Sequence, residues 1–543
     1  MIVPSMSHRS FPRSMAGYAA RVLLLLGTLG AVAAAPVDPV ATPETATSSP
    51  LNIGMLSNVL SSALNFLQPR TLESYSARDL CWWGLDGLTA IDPAIVIEEV
   101  PPPDPQTRKP PAIQLMSGQR VLRTFPRPGD TDTAGWIALV VSAMQEAWTQ
   151  STTIRAAGST ALLQSFFDEL FNHLDPYSRY VGPAPAVQDR TARFGGAADV
   201  GVTLGRDDRG LFISAVNANG PAWTAGVNVG QRLLAVDSRS TRNQSPESVA
   251  HWLSGPSDSR VLLTLADPGR RRANLVLHRA SVPPQTVFAY THGHLVVLRV
   301  TSFSTETAEE LSQYIDQSMQ DTKLAGIILD LRGDRGGVLQ QAVTATALVL
   351  DHGVAVVTNG RDQRANHIWA VQGGDMTKGV PIVVMVDGRT ASAAEIMAAA
   401  LADHRRAVVI GSATLGKGLV QAIGQMPDGG ELFVTWSRVL APLGWPLQGL
   451  GVIPQICTAR GEADLQHSLR ALRDGQVVDA PTVRASRAAR YPLSVSRILD
   501  IRRNCPAAIG TDADLDAAQA ILTTPGAYKT ALSAIPDDLS AVP

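Results

Sequence analysis

The stretch "PIVVMVDGRTASAAEIMAAALADH", Pro381 to His404, carries the organisation of the chain in miniature. Its apolar start fits a strand buried on both faces, Asp387-Gly388 reads as a tight turn, and the Ala-rich remainder reads as a helix. A strand that feeds straight into a helix is the unit of a parallel sheet. Comparable apolar runs surround it: "LVVLRV", "GIILDLRG", "VAVVTNG" and "AVVIGS", with helical runs between several of them. The alternation predicts an α/β core with much parallel sheet over residues 285–456.

Ser392 falls where the helix of this stretch starts, and Glu395 follows three residues on. Ser-x-x-Glu is a capping-box pattern. A strand, a Gly-containing turn and a helix also form the setting that exposes a nucleophile, because free N–H groups at the helix start favour a developing oxyanion. A serine at a helix start serves more often as a cap, and Thr390 could cap equally well. A nucleophile needs a base. His404 is nearby in sequence, but twelve residues of helix rise about 18 Å, which puts it out of reach. Lys417 lies 25 residues after Ser392 in "TLGKGLVQ", between Gly416 and Gly418. In an apolar site desolvation disfavours its ammonium form, and a neutral amine can take the serine proton. Gln421 lies four residues beyond and could orient that amine. The bland alternative is a solvated lysine in a turn.

The whole chain bounds these readings. Its 543 residues are too many for one core and predict several domains. A net charge of -2 gives no case for a nucleic-acid partner. Cys81, Cys457 and Cys505 lie too far apart for zinc-ligand spacing, and the ten histidines form no metal motif, so neither metal nor cofactor is expected. Arg9, Arg13 and Arg21 precede "VLLLLGTLGAVAAA" (Val22 to Ala35), a basic region, a short apolar run and small residues. Residues 1–35 therefore read as a secretory signal, with an uncleaved membrane anchor as the alternative. Export permits a disulfide, and Cys457 and Cys505, in one C-terminal region, are the expected pair. Residues 36–52 read as a linker and 53–190 as a helical region, interrupted by a Pro-rich loop at Val100 to Pro111. The ends of its two helical stretches, at Asp92-Pro93 and Asp175-Pro176, resemble each other weakly. Residues 195–282 change texture to short alternating runs, with "LFISAV", "RLLAVD" and "RVLLTLAD" as strands and "PAWTAG" and "SPESVAHWL" as short helices. The tail, residues 457–543, reads as mainly helical.

Taken together, several motifs resemble the carboxy-terminal processing proteases, also called tail-specific proteases. "GRTASAAEI" and "TLGKGLVQ", with their 25-residue separation, match its Ser-Lys dyad; "GIILDLRGDRGGVLQQAV" matches its Asp-Leu-Arg strand and Gly-Gly turn. "LDPYSRYVGP" matches the segment before its PDZ domain, "GPAWTAGVNVGQRLLAVD" the PDZ centre, and "LQGLGVIP" the close of the protease core. The order is the family's, from about Ala161 to Pro454.

The resemblance implies a ClpP/crotonase-like α/β core with an inserted PDZ domain, and with 160–190 contributing to the core. It implies Ser392 as nucleophile, Lys417 as general base and Gln421 as its orienter. The N–H of Ala393 and that of Gly336 or Gly337 would form the oxyanion hole. Gly201, Val202, Thr203 and Leu204 would receive the carboxylate of a substrate with an apolar C-terminus. The expected product is an exported endopeptidase of the bacterial periplasm; an adaptor protein and self-association stay open. The chain departs from the family at Thr203 and Gln231, at "APLGWPLQG" (Ala441 to Gly449), and at Asp334, where Asn is common. Asp334 puts a carboxyl beside the proposed oxyanion hole, which keeps open the alternative of a catalytically weak PDZ scaffold.

Overall fold

The computed structural model describes residues 50–101, 111–194, 198–217, 219–267 and 272–535. The signal segment, most of the linker and most of the Val100–Pro111 loop lie outside the described residues. Helices α1 (Ile53–Leu67) and α2 (Ala77–Ile91) open the described chain. Asn52 caps the first by accepting from Met55 N at 3.0 Å, and Ser76 with Asp79 closes a reciprocal capping box on the second. Helices α3 (Thr133–Gln150), α4 (Thr152–Ala157) and α5 (Ser159–Asn172) complete a helical layer. Gly87 in α2 is needed for packing: a Cβ there would lie 2.6 Å from the Ser165 carbonyl oxygen of α5. Leu64, Leu85, Trp136, Phe166 and Phe167 form the core between the helices.

The interruption between the two helical stretches holds strands β1 (Ile95–Val100), β2 (Ala112–Ser117) and β3 (Arg120–Pro126), an antiparallel sheet that the reading of 53–190 as a helical region with a Pro-rich loop did not include. Ile95 and Ile97 in β1 and Ile113 and Leu115 in β2 do alternate inward, but the alternation is too short to stand out, and β3 is mostly exposed and carries Arg120 and Arg123. Strand β4 (Arg179–Val181) and helix α6 (Pro183–Phe194) lead to the next region.

That region contains β5 (Val202–Asp207), β6 (Gly210–Val216), α7 (Pro221–Thr224), β7 (Arg232–Val236), β8 (Arg239–Ser240), α8 (Pro246–Leu253), β9 (Arg260–Ala266) and β10 (Arg272–His278). The sheet runs β10-β9-β7-β6-β5, with β5 at its edge and α8 packed beside it. Val200, Ile213, Leu233, Val249 and Leu263 form its core.

The third region starts with β11 (Val287–His292), β12 (Leu295–Val300), α9 (Thr307–Met319), β13 (Gly326–Asp330) and α10 (Leu339–Ala347). It continues with β14 (His352–Asn359), β15 (His367–Gln372), β16 (Ile382–Val386), α11 (Ala393–Asp403) and β17 (Ala407–Gly411). Strands β18 (Leu419–Gln425), β19 (Glu431–Leu440) and β20 (Ile456–Cys457) follow. One sheet runs β11-β12-β13-β16-β17-β20, parallel from β12 onward, as the alternation predicted. The segment "VAVVTNG" is a correction: as β14 it joins a second, antiparallel sheet, β15-β14-β19-β18, to which β4 adds along β19. An apolar run identifies a strand without saying which sheet accepts it.

Both faces of the parallel sheet are covered, and each buried Val or Ile contributes about 1.5–3 kcal/mol. Ile382, Val384 and Val386 of β16 face the core shared with α9, α10 and α11. Val383 and Met385 face the C-terminal helices. Those helices are α12 (Glu462–Arg473), α13 (Ala480–Arg487), α14 (Val495–Arg502), α15 (Asp512–Thr523) and α16 (Ala527–Leu532). Leu465, Ile521 and Ala531, from α12, α15 and α16, supply the covering side chains. Cys457 and Cys505 form a disulfide with a Cα–Cα separation of 5.8 Å, the pair expected from the sequence.

Candidate active site

Strand β16 ends in a turn organised by the buried Asp387 carboxylate. It accepts the N–H groups of Gly333 at 2.9 Å, Arg389 at 2.9 Å and Thr390 at 3.0 Å. Thr390 is not a helix cap; its hydroxyl donates to the Leu331 carbonyl at 2.9 Å, tying the turn to the segment after β13. Ser392 follows with φ 57° and ψ -119°, a conformation that costs a non-glycine residue about 1–3 kcal/mol. Helix α11 begins at the next residue, so the half-buried Ser392 sits at its N-terminal, positive end.

Glu395 does more than close a helix. Its carboxylate is fully buried and one oxygen, Oε2, accepts from Ser392 N at 2.7 Å and from Lys417 N at 2.9 Å. The other oxygen accepts from Gly416 N at 2.7 Å and from the Thr414 hydroxyl. The backbones of Ser392 and Lys417 thus share a single acceptor atom. Burial pushes the Glu395 carboxyl upward, and these four donors pull the other way.

The lysine loop is pinned from outside by the Leu447–Pro454 segment. Gly418 N donates to Gln448 Oε1 at 2.9 Å, and Gly449 N donates to the Gly416 carbonyl at 2.8 Å. A Cβ at Gly418 would lie 2.2 Å from Gln448 N, which explains the glycine. The Lys417 ammonium lies 5.2 Å from the centre of the Tyr177 ring. Burial first, and then the field of Arg179, hold it below the ordinary lysine range, against the opposing pull of Glu395 and Asp175.

Gln421 is close to this loop, but its amide donates to the Leu419 carbonyl and to Thr435 Oγ1, each at 3.1 Å. Thr435 in turn donates to Asp175 Oδ1 at 2.7 Å. His404 sits at the far end of α11, where its Nε2 meets the Val354 carbonyl at 2.7 Å. Asp175, Tyr177 and Thr435 escaped the sequence reading. The quoted "LDPYSRYVGP" contains two of them, but nothing local in it points to a lysine more than two hundred residues away.

Across from Ser392 stands the glycine turn. Gly336, at φ 87°, packs so closely that a Cβ would lie 2.7 Å from Ala393 N and 2.8 Å from Ser392 Cβ. Its own N–H donates to Asp334 Oδ1 at 2.7 Å. Its carbonyl accepts from Phe303 N at 3.0 Å, and Val338 N returns a bond to the Phe303 carbonyl at 2.8 Å. Among the described residues, no hydrogen bond occupies the N–H of Gly337 or of Ala393. The second glycine is also demanded by sterics, since a Cβ at Gly337 would lie 2.1 Å from the Phe303 carbonyl oxygen.

The segment beyond the disulfide reaches the same turns. Gly510 N donates to Asp387 at 3.2 Å, and Gly388 N donates to the Ala508 carbonyl at 2.7 Å. Arg332 bonds Asp330, the Thr511 carbonyl at 2.6 Å and Asp514 at 3.0 Å.

In the PDZ-like region, Gly201 has φ 77°, and a Cβ there would lie 2.8 Å from Gly220 Cα. Its N–H is taken by Asp199 at 2.7 Å. Val202, Thr203 and Leu204 start the edge strand β5, with a register shift between Thr203 and Leu204. One edge of β5 pairs with β6, and the other pairs with no strand of this sheet. Among the described residues, no group of His, Cys, Asp or Glu is arranged to hold a metal, and no helix is long and apolar enough to cross a membrane.

The model of peptidase family S41 matches residues 294–458, and a PDZ-domain model matches 212–267. The carboxy-terminal-processing protease of Bartonella bacilliformis is 30% identical over 299 residues, covering 54% of this chain and 69% of that one. A carboxy-terminal processing protease of Bacillus subtilis is 32% identical over 287 residues, 52% of this chain and 60% of its own length. Among solved structures, the photosystem II D1 C-terminal processing protease aligns over 69% of this chain and 92% of its own, at 23% identity and a TM-score of 0.35.

Proposed function

The chain belongs to the carboxy-terminal processing proteases, peptidase family S41, and from that premise we propose that it is an exported serine endopeptidase that selects substrates by their C-termini. Ser392 is the nucleophile and Lys417 its base. The observation that carries this reading is the shared Glu395 oxygen, which ties the backbones of the two residues to one point.

In the reaction, neutral Lys417 takes the Ser392 hydroxyl proton as Oγ bonds to the scissile carbonyl carbon. The carbonyl electron pair moves onto oxygen, and the N–H groups of Gly337 and Ala393 receive it. Of the two glycines offered by the sequence, Gly337 is favoured, because Gly336 N–H already serves Asp334. Collapse breaks the C–N bond, and the Lys417 ammonium protonates the departing amine. Water then cleaves the Ser392 ester with Lys417 again as base. Gln421, held by Thr435 and the Leu419 carbonyl, bounds the lysine loop and positions the base. The backbone of Val202, Thr203 and Leu204, with Gly201 allowing the bend, receives the substrate carboxylate, and its chain adds along β5. The basic and apolar N-terminal segment supports export to a periplasm.

The test is incubation of the purified protein with an unstructured protein ending in apolar residues. Cleavage that disappears in Ser392→Ala supports the reading. No cleavage at any pH, with tail binding retained, replaces it with the scaffold reading, which the carboxyl of Asp334 beside the glycine turn favours.

A further inference from the structure

Asp334 is the one residue of the glycine turn whose chemistry the proposed reaction leaves unexplained. Its side chain has no solvent exposure. One oxygen, Oδ1, accepts Gly336 N–H at 2.7 Å; the other, Oδ2, is buried with no hydrogen-bond partner. Its backbone carbonyl accepts Ala391 N at 2.9 Å, one residue before Ser392. Asp334 therefore touches both halves of the site, the turn that presents Gly337 and the turn that presents Ser392.

A buried carboxylate oxygen facing no donor is costly; a protonated one carries its own O–H and is far less so. The surroundings offer little relief to a charge. From β12, Arg299 is the cation whose field reaches Asp334, but it is committed to Asp330 at 2.9 Å and to the Arg332 carbonyl. Arg332, after β13, is held by Asp330 and Asp514. The carboxylates of Asp387 on the nucleophile turn and Glu395 on α11 have their own donors. Lys417 is held at the far side of Glu395, and Arg335, the next residue, is exposed. The Phe303 loop carries one titratable side chain, the Glu306 carboxylate at the start of α9, which brings no positive charge, and the first turn of α10 brings none. A protonated Asp334 has the shape and the donor-acceptor pair of an Asn side chain: one oxygen to accept Gly336 N–H and one donor in place of the amide.

On this basis, and resting on the peptidase reading above, we propose that Asp334 is a positioning residue that works as a neutral carboxylic acid, and that its ionisation disables the oxyanion turn and gives this chain an alkaline limit. The negative charge would stand against the negative charge developing on the substrate oxygen, and would pull on the Gly336 N–H that sets the turn. Burial pushes the Asp334 carboxyl up to about 8, against the smaller pull of Gly336 N–H and Arg299. The folded state thus binds a proton that the unfolded chain has already lost. The sign follows: this group costs the fold stability progressively as pH rises from the ordinary carboxylate range to about 8.

Two measurements test this, each on wild type and Asp334→Asn. The first is the pH profile of kcat and KM for cleavage of a tailed substrate. Wild-type kcat should rise with Lys417 deprotonation and then fall about tenfold per pH unit above the limit, with KM little changed; the Asn variant should keep rising. An identical falling limb in both proteins overturns the proposal. The second is thermal melting, which needs no catalysis. The melting temperature of the Asn variant relative to wild type should climb between pH 6 and pH 9; a difference that does not change with pH overturns the proposal. If wild type cleaves nothing at any pH, the peptidase reading fails, and the melting comparison still decides the state of Asp334.

Discussion

At the scale of the residue, Lys417 is where chemistry and burial meet. Its ammonium is held over the Tyr177 ring and below the ordinary lysine range. For a cation, a lowered value means that the neutral amine appears at lower pH than in a free lysine. The rate should therefore climb as pH rises through the neutral range until the limit set by Asp334 is met; a rate that falls monotonically from mildly acidic pH in folded protein would exclude a lysine base. Lys417→Arg keeps the charge and removes the base, so cleavage should drop by roughly a thousandfold or more, read as initial rate with circular dichroism to confirm folding. His404→Ala provides the contrast. It leaves the Val354 carbonyl without its partner and should cost about 1–3 kcal/mol of stability, with the rate of the folded fraction retained. Ser392 and Lys417 stood out in the sequence as candidates through their motifs and 25-residue separation, since taken singly a helix cap and a turn lysine explain each of them. Glu395 was legible only as a cap, since the sequence does not reveal that its carboxylate also meets Lys417. Tyr177 and Thr435 could not be read at all, because their meaning depends on which distant segments touch.

At the scale of the element, the strap from Cys505 to Asp514 is a structural part of the site although it follows the family-matched region. It brings Gly510 N–H to Asp387 and the Thr511 carbonyl to Arg332, and the disulfide holds its start to the end of β20. A cross-link spanning 48 residues removes about 4 kcal/mol of chain entropy from the unfolded state. Cys457→Ser with Cys505→Ser should therefore lower the melting temperature and reduce the cleavage rate in the same preparation. Unchanged melting would mean the strap holds without its tether. The parallel strands and long helices were legible from uninterrupted apolar runs and caps. The β1–β3 sheet was not, because its inward alternation amounts to two residues each in β1 and β2 and one in β3.

At the scale of the whole molecule, the proposed function divides the task between the peptidase body, for chemistry, and the PDZ region, for selection. If β5 and the residues before it receive a tail, amidating the substrate's C-terminus removes a charge that backbone N–H groups are arranged to accept. A charge-assisted hydrogen bond is worth roughly 1.5–3 kcal/mol, so the specificity constant should fall by about ten- to a hundredfold. Equal rates on free and amidated tails would leave the dyad standing and remove the tail receptor. The C-terminal helices act at the same scale. They bury one whole face of the parallel sheet, so a chain cut after 458 should precipitate or bind hydrophobic dyes, because Val383, Met385 and Ile410 would meet water.

The pairing of β4 with β19 has a consequence in time as well as in space. Asp175, beside the ring that faces Lys417, meets Thr435 across 260 residues of sequence. At about 5–20 residues per second of synthesis, the early segment waits on the order of 10–50 s for its partner to leave the ribosome. Through that interval the chain carries a nearly complete PDZ region but no assembled cutting centre. Under the proposed function, hydrolytic competence would then arrive only once the last strands are made.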